Sequence, residues 1–165
     1  MVILVDAFNV LYKFPELEEH MAHGRLIEAR QGLLRILSEF QVKWKKPVHF
    51  HLFFDGKKNK GDLTEKESIA GMEIYYSHDL SADYMIKQAI KSHPRPADLR
   101  IVSSDKQVLG SAKKWKCELQ TSEDFQKWVD GILNAVPVEP EKDDNVQLSP
   151  GDVRYWLGQF KRKRP

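Results

Sequence analysis

Short apolar runs alternate along the chain with longer segments in which apolar residues recur at helical spacing. Residues 2–5 are all apolar and rich in β-branched side chains, which predicts a strand buried on both faces. Residues 24–44 place apolar side chains every three or four positions, which predicts a helix of several turns. The same criteria predict strands at residues 48–54, 72–76, 99–102 and 117–119, and helices at residues 63–70, 81–92, 105–115 and 123–133, the last with Ser122 as its N-cap.

This alternation predicts a parallel sheet, because parallel strands need crossover connections and helices usually supply them. The expected architecture is a three-layer α/β/α domain with a central, mainly parallel sheet. We assign residues 1–135 to this domain. An acidic, proline-rich linker is expected at residues 136–148, followed by a C-terminal helix and basic tail at residues 149–165.

The composition is that of a globular protein, with 165 residues, 41% hydrophobic and 30% charged, and a formal net charge of +2. Cys117 is the only cysteine, which excludes a disulfide framework and a cysteine-based zinc site and favours a reducing compartment. No apolar run approaches the roughly 20 residues that span a bilayer, and no basic segment precedes the first apolar run. We therefore expect a cytoplasmic protein without a signal peptide or a membrane partner.

Lysines are concentrated in one part of the chain. Residues 41–61 contain six lysines and a single acidic residue, Asp55, and residues 161–164 are all basic. Basic segments near an acidic site suit a polyanionic substrate, whose phosphates they would hold. The alternative is that these lysines form a solvated face. The six are Lys43, Lys45, Lys46, Lys57, Lys58 and Lys60.

Aspartates follow three of the predicted strands, at positions 6, 55 and 105. Because the carboxyl ends of parallel strands meet at one edge of a sheet, Asp6, Asp55 and Asp105 should converge where open α/β sheets place their chemistry. Asp83, in the first turn of a predicted helix, completes the candidate set. Carboxylates are hard oxygen ligands that suit Mg²⁺ or Mn²⁺, so the pattern predicts a metal site for the hydrolysis of phosphate esters.

Each aspartate also has a structural interpretation. Asp105 before a helix is a typical N-cap, and Asp55 followed by glycine is a turn signal. Asp83, in a first helical turn, would interact favourably with the positive end of the helix dipole. Asp6 is the hardest to explain in this way, because a charge directly after a buried strand is costly without a partner. The joint occurrence of the four favours the metal site.

Two polar residues near these aspartates, Asn9 and Ser104, are candidates to hydrogen-bond a ligand carboxylate or the scissile phosphate. The chain has no P-loop, no dinucleotide-binding glycine motif and no serine nucleophile elbow. The Asp-x-Asp motif of aspartyl-phosphate phosphatases is also missing, because Ala7 and Phe8 follow Asp6. A small-molecule phosphohydrolase or nucleotide-binding domain is therefore a disfavoured alternative.

Four segments together resemble the YacP-like group of NYN-domain proteins, which belongs to the PIN-like nuclease class. They have the family's order and spacing, and the resemblance spans about residues 1–133. It implies a PIN-like fold. In one respect the chain departs from the family, whose members commonly carry a second acidic residue where this chain has Tyr84. The segments are Val5-Asp6-Ala7-Phe8-Asn9-Val10-Leu11, Phe53-Phe54-Asp55-Gly56, Ser81-Ala82-Asp83-Tyr84 and Val102-Ser103-Ser104-Asp105.

The resemblance implies a metal-dependent endoribonuclease that uses Mg²⁺ or Mn²⁺. By position, it implies that Asp6, Asp83 and Asp105 are the catalytic metal ligands, with Asp55 close to the metal and Asn9 and Ser104 in support. Some YacP-like proteins are linked to cleavage of mRNA on the ribosome, so RNA is the expected partner and the ribosome a further one. A non-catalytic RNA- or ribosome-binding module on the same fold is the alternative. The expected RNA contacts are Lys57, Lys58, Lys60 and Lys106.

Overall fold

The computed structural model describes residues 1–135, which form one compact unit. The predicted linker at residues 136–148 and the predicted C-terminal helix and basic tail at residues 149–165 lie outside the described residues. The division of the chain into these three parts therefore stays a prediction. Along residues 1–135, no helix combines the length and the apolar character needed to span a bilayer.

Six strands, six α-helices and a short 3-10 helix at Pro96–Asp98 make up the described part of the chain. The strands are β1 (Val2–Asp6), β2 (His49–Phe54), β3 (Lys66–Ile69), β4 (Met72–Tyr76), β5 (Leu99–Val102) and β6 (Glu118–Gln120). The helices are α1 (Ala7–Leu11), α2 (Pro15–Ala22), α3 (Leu26–Lys43), α4 (Ala82–Ser92), α5 (Lys106–Lys114) and α6 (Ser122–Leu133).

The strands form one sheet in the order β3-β4-β2-β1-β5-β6. Neighbouring strands are parallel except β3 and β4, which are antiparallel. The chain extends from β1 to β2 and β4 on one side, whereas β5 and β6 lie on the other, so the strand order reverses at β1. Open α/β sheets bind their ligands at such a point, beyond the carboxyl ends of the strands.

Helices cover both faces of the sheet, which confirms the predicted three-layer α/β/α architecture. Successive residues of β1 enter opposite cores: Ile3 and Val5 pack in the core that includes α3 and α6, and Leu4 packs with α4 and α5. Side chains alternate in direction along a strand, so a strand between two cores is apolar throughout. Asp6 is the first residue of β1 that breaks this apolar run.

The predicted strands are confirmed, and the helices predicted within the described residues are also confirmed apart from that at residues 63–70. That helix is wrong, because Lys66–Ile69 is a strand that pairs antiparallel with β4. Ala70 and Gly71 form the hairpin turn with positive φ angles of 51° and 75°, as in a type I′ turn. An ion pair of 2.6 Å between Lys66 and Glu73 joins the two strands.

The start of α6 differs by one residue from the prediction. Ser122 is not its N-cap; Thr121 is, and its Oγ1 accepts a hydrogen bond from the backbone N–H of Asp124 at 3.1 Å. Ser122 is the first residue of the helix and is fully buried. The sequence pattern did not predict helices α1 and α2. α2 begins at Pro15, a residue type favoured at the first helical position.

Helix α2 approaches α3 closely at Gly32. A Cβ atom at this position would overlap the Cδ2 atom of Leu17, which is itself buried. In contrast, Gly110 in α5 is exposed, and a Cβ there would meet nothing within 4 Å. Packing therefore requires one of these helical glycines and not the other.

The substitution Gly32→Ala should lower the free energy of unfolding by about 1 kcal/mol, because overpacking outweighs the gain in helix propensity. Gly110→Ala should raise it by about 0.5–1 kcal/mol, since alanine favours the helix and meets no neighbour. Urea denaturation of both variants and the wild type measures the difference. An equal stabilisation by the two substitutions would contradict the close approach of α2 to α3.

Candidate active site

Asp6 lies at the carboxyl end of the central strand and is only 5% exposed. It is the N-cap of α1. Its Oδ2 accepts hydrogen bonds from Asn9 Nδ2 at 2.6 Å and from the Ser103 hydroxyl at 2.8 Å. The backbone N–H of Asn9 lies 3.5 Å from Oδ1. Donors from two separate segments of the chain therefore hold this carboxylate in one orientation.

Burial raises the pKa of Asp6 above its ordinary value, because loss of hydration disfavours the charged carboxylate. The hydrogen bonds from Ser103 and Asn9 oppose this increase, and the negative charge of Asp55 adds to it. The surroundings of Asp6 therefore favour a proton or a cation on this carboxylate.

Asp55 follows β2 and connects the edge of the sheet to α4. Its Oδ1 accepts a hydrogen bond of 2.7 Å from the backbone N–H of Ala82, the first residue of α4. This contact brings the segment that carries Asp83 next to Asp55. Its turn interpretation also holds, because Gly56 has a positive φ of 78°. The structure thus brings Asp55 into the electrostatic environment of Asp6.

Asp105 caps α5, as its structural interpretation predicts. Its Oδ1 accepts hydrogen bonds from the backbone N–H groups of Gln107 at 2.6 Å and Val108 at 3.4 Å. Its own N–H donates to the Ser103 hydroxyl oxygen at 3.0 Å, and the same hydroxyl donates to Asp6. Ser103 therefore links the backbone of Asp105 to the carboxylate of Asp6.

Asp83 lies in the first turn of α4 and forms an ion pair with Lys87 one turn later, with Oδ2 and Nζ 2.7 Å apart. Its Oδ1 is buried and has no hydrogen-bond partner within residues 1–135. Buried polar atoms are normally paired, and a cation is one ligand that would satisfy this oxygen. The neighbouring Tyr84 is 48% exposed.

Ser104 contacts a different carboxylate, that of Glu123. Its hydroxyl donates to Glu123 Oε2 at 2.5 Å and accepts a hydrogen bond from the backbone N–H of Ser122 at 3.1 Å. Lys13 lies 2.8 Å from Glu123 Oε1. The contacts with Lys13 and Ser104 lower the pKa of Glu123 to about 2. Ser104 thus ties the end of β5 to the start of α6.

Ser103 is a site residue that the sequence pattern did not single out. It is fully buried and donates to Asp6. A signal for it does exist: it follows β5 directly, and the pairing of Val5 with Val102 places it beside Asp6. The parallel register, rather than the residue type, distinguishes it from the neighbouring Ser104.

The donors around Asp6 decide whether a divalent cation would fit beside it. Within residues 1–135, no group of three or more His, Cys, Asp or Glu side chains is arranged so that it could hold a metal ion. Mg²⁺ usually binds through one or two carboxylates and keeps several waters. Asp6 and Asp55 are two carboxylates of the type that such an ion needs. The unpartnered Oδ1 of Asp83 is a further oxygen donor on the adjoining helix. The donors therefore fit such a cation in chemistry.

The four predicted RNA-binding lysines differ in their contacts. The ammonium group of Lys58 pairs with Glu67 Oε2 at 2.6 Å. Lys57, Lys60 and Lys106 are exposed and belong to none of the ion pairs found within residues 1–135. Lys106 is the first residue of α5, directly after Asp105. These three lysines are thus better placed than Lys58 to contact an anion.

A family model of the YacP-like NYN domain matches residues 3–150 of this chain. Two crystal structures of Rae1 (YacP) from Bacillus subtilis are similar to it, each with a TM-score of 0.62. One, a point mutant, is 14% identical, and the match covers 100% of this chain and 86% of that one. The other is 19% identical, with coverages of 80% and 75%. At these identities the likeness shows a shared fold. No curated protein matches the sequence.

The substitution Asp6→Asn should raise the free energy of unfolding at pH 7 in the presence of a chelator, because it removes a buried charge, and its one amide oxygen can still accept the two shorter hydrogen bonds, from Asn9 Nδ2 and the Ser103 hydroxyl. The raised pKa means that folding favours the protonated carboxyl group. The wild type therefore loses stability as the pH rises from the ordinary value of 3.8 through the raised pKa.

The advantage of Asp6→Asn should accordingly fade as the pH falls to about 3.5, below the ordinary pKa. Urea denaturation at both pH values measures this. Asp98→Asn, at an exposed aspartate paired with Arg95, is the matched control and should change the stability by less than about 0.5 kcal/mol. A variant less stable than the wild type at pH 7 would show that the charge of Asp6 is not a burden to the fold.

Proposed function

This chain belongs to the YacP-like NYN family, whose domain is of the PIN-like nuclease class, and on that basis we propose that it is a metal-dependent endoribonuclease. The observation that carries the proposal is the buried carboxylate of Asp6, acted on by the charge of Asp55, at the reversal of strand order. A buried carboxylate beside a second one is costly unless a proton or a cation neutralises it. Mg²⁺ or Mn²⁺ is the cation that oxygen ligands of this kind suit.

In this proposal Asp6, Asp83 and Asp105 hold the ion together, with Asp55 beside them, although the carboxylates within residues 1–135 are not already assembled as a three-ligand site. When bound, such an ion lowers the pKa of a coordinated water and neutralises charge that builds on the phosphate. The hydrogen bonds of Asp105 with the backbone of α5 all use its Oδ1, not its Oδ2. In Asp83 it is Oδ1 that has no partner within residues 1–135. Each of these two residues therefore has a carboxylate oxygen to offer.

Hydrogen bonds within the chain orient these carboxylates. Asn9 and Ser103 both donate to Asp6 Oδ2, and the backbone of Ala82 donates to Asp55 Oδ1. Donors of this kind, behind the groups that hold a ligand, keep their geometry ready for the reaction. Asn9 and Ser103 are thus supporting residues, and Ser104 supports the site less directly by tying α6 to the end of β5.

The proposed substrate is RNA in the cytoplasm, and mRNA on the ribosome is the form that the family suggests. Lys57, Lys60 and Lys106 supply positive charge near Asp55 and Asp105 for the phosphates of the strand. Hydrolysis would join the oxygen of water to phosphorus and release the 3′-oxygen with a proton. The products would be 5′-phosphate and 3′-hydroxyl ends.

One observation favours a second candidate function, a non-catalytic RNA- or ribosome-binding module. No group of three possible metal ligands is assembled within residues 1–135, and the lysines near Asp55 would bind RNA with or without a metal. Cleavage distinguishes the two candidates, because only the nuclease shortens the RNA.

Purified protein should cleave single-stranded RNA with Mn²⁺, and EDTA should abolish the cleavage. Asp6→Asn or Asp105→Asn should lower the rate at least about 100-fold, because a bound metal contributes several kcal/mol to transition-state stabilisation. Asparagine caps helices well, so both variants should fold. Gel analysis of end-labelled RNA measures the rates.

The control for these variants is Asp98→Asn, at the amino end of β5 and thus at the opposite edge of the sheet. Its cleavage rate should match that of the wild type. If the wild type binds RNA and leaves it intact with Mn²⁺, both free and on ribosomes, the binding module is the correct function.

Mn²⁺ should also raise the melting temperature of the wild type, since an ion that neutralises Asp6 stabilises only the folded chain. At a concentration of ten times Kd the gain is about 1.4 kcal/mol, which corresponds to an increase of about 3–6 °C. Asp6→Asn should lose this increase. Differential scanning fluorimetry in EDTA and in Mn²⁺ measures it, and an equal increase in the wild type and the variant would place the ion elsewhere.

A further inference from the structure

A groove of about 440 Å³ lies between the start of α3 and the loop that follows β2. Ligand pockets commonly have volumes of about 300–1,000 Å³. The helix side presents Ile27, which is 52% exposed, and the loop side is formed by residues 57–60, three of which are lysines. An aliphatic wall therefore faces a basic wall.

Arg30 holds the basic wall from inside the protein. Its side chain is only 6% exposed. Nη1 donates to the carbonyl oxygens of Lys57 at 3.0 Å and Lys58 at 2.9 Å. Nη2 donates to the carbonyl oxygen of Asp55 at 3.4 Å. One buried side chain thus fixes the loop backbone from its origin at the active-site aspartate.

Aromatic and acidic side chains keep Arg30 in this position. Its guanidinium carbon lies 5.0 Å from the ring centroid of Phe54 and 5.3 Å from that of Tyr76, at cation–π distance. The Tyr76 hydroxyl donates to Glu67 Oε1 at 2.5 Å, and Glu67 Oε2 pairs with Lys58. The loop is therefore anchored both through its backbone and through one lysine.

This anchoring leaves two lysines of the loop available to a ligand. Glu67 neutralises the ammonium group of Lys58, whereas Lys57 and Lys60 are exposed and form no ion pair within residues 1–135. Glu28 lines the helix side of the groove and would repel an anion there. The anionic part of a ligand is thus favoured on the loop side, and its uncharged part on the side of Ile27.

The groove is adjacent to the carboxylates rather than on them. Lys57 is two residues and Lys60 five residues after Asp55, so they lie at most about 7 Å and about 18 Å from it along the chain. A nucleotide of the same RNA strand has the required character, because it joins one negative phosphate to a flat base with a large uncharged face. Proteins that bind single strands commonly combine a basic groove with aromatic side chains on which bases stack; in this groove Ile27 offers an aliphatic face in place of an aromatic ring.

We propose that this groove is an RNA subsite that binds one nucleotide flanking the phosphodiester to be cleaved. The phosphate lies between Lys57 and Lys60, and the base packs on Ile27. The identity of the strand as RNA rests on the proposed function. Binding in the groove does not require the strand to be cleaved.

Charged residues at position 27 test the subsite through the affinity for a short, fluorescently labelled single-stranded RNA, measured by anisotropy in EDTA so that no cleavage occurs. Ile27→Asp should weaken binding about tenfold, because it removes the aliphatic contact with the base and adds a negative charge across the groove from the phosphate, and Ile27→Lys should strengthen it by adding a positive charge there. The side chain is half-exposed, so both variants should keep the fold.

Val42 is the matched control on the same helix. It is 82% exposed and lies about 22 Å from Ile27 along α3, beyond the Debye length of about 8 Å at 0.15 M salt. Val42→Asp and Val42→Lys should each change the affinity less than twofold.

Equal effects at positions 27 and 42 would overturn the subsite, as would a wild type that binds no RNA. Cleavage of the same RNA with Mn²⁺ separates this outcome from failure of the proposed function. A protein that shows the expected difference but does not cleave RNA retains the subsite and is not a nuclease. A protein that cleaves RNA with equal effects at both positions is a nuclease without this subsite.

Discussion

A single buried charge, the carboxylate of Asp6, sets the requirements for everything around it at this edge of the sheet. β1 needs apolar residues on both faces because it lies between two cores, so its end is the first position that admits a polar group. The carboxylate there is still almost fully buried, and it is stabilised by donors from Asn9 and Ser103. These bonds form only if α1 starts directly after the strand and β5 aligns with it. The helix start and the strand register are therefore the conditions under which this one desolvated group is satisfied.

Arg30 is a second buried charge, of the opposite sign, and it orders the neighbouring segment. Its hydrogen bonds end on carbonyl oxygens from Asp55 to Lys58, while the side chain of Asp55 is bound to the start of α4. The segment after β2 is thus fixed at two points: the side chain of Asp55 binds the start of α4, and Arg30 binds the backbone of the basic loop. A structural link of this kind would keep a constant spacing between the candidate carboxylates and the proposed RNA-binding surface, as the proposed cleavage of a polymer would need.

The strands and the candidate carboxylates could be predicted from local patterns, since burial on both faces leaves a continuous apolar run and Asp6 breaks that run. Strand β3, and with it the hairpin that β3 forms with β4, could not be predicted in this way. Residues 66–69 are mostly exposed, so they carry no alternation of apolar and polar residues, and their strand state comes from pairing with β4. Adjacent serines show the same limit in the site: Ser103 bonds Asp6 and Ser104 bonds Glu123. The two residues are of the same type, and only the register of β5 against β1 determines which of them reaches Asp6.

The amino-acid pattern alone was enough for most of the alternating strands and helices and for the three-layer class, because hydrophobic periodicity is a local property of the chain. It also predicts a carboxylate site, because strand-end aspartates can be read directly from the sequence. Which side chains pair with one another is decided only in the folded protein. Lys58 is neutralised by Glu67 from β3, and Asp55 reaches the backbone of Ala82 far along the chain. Such contacts join residues whose separation in sequence is bridged only by strand pairing and helix packing. A list of charged residues therefore predicts the kind of chemistry, whereas their three-dimensional neighbours decide which of them remain available for it.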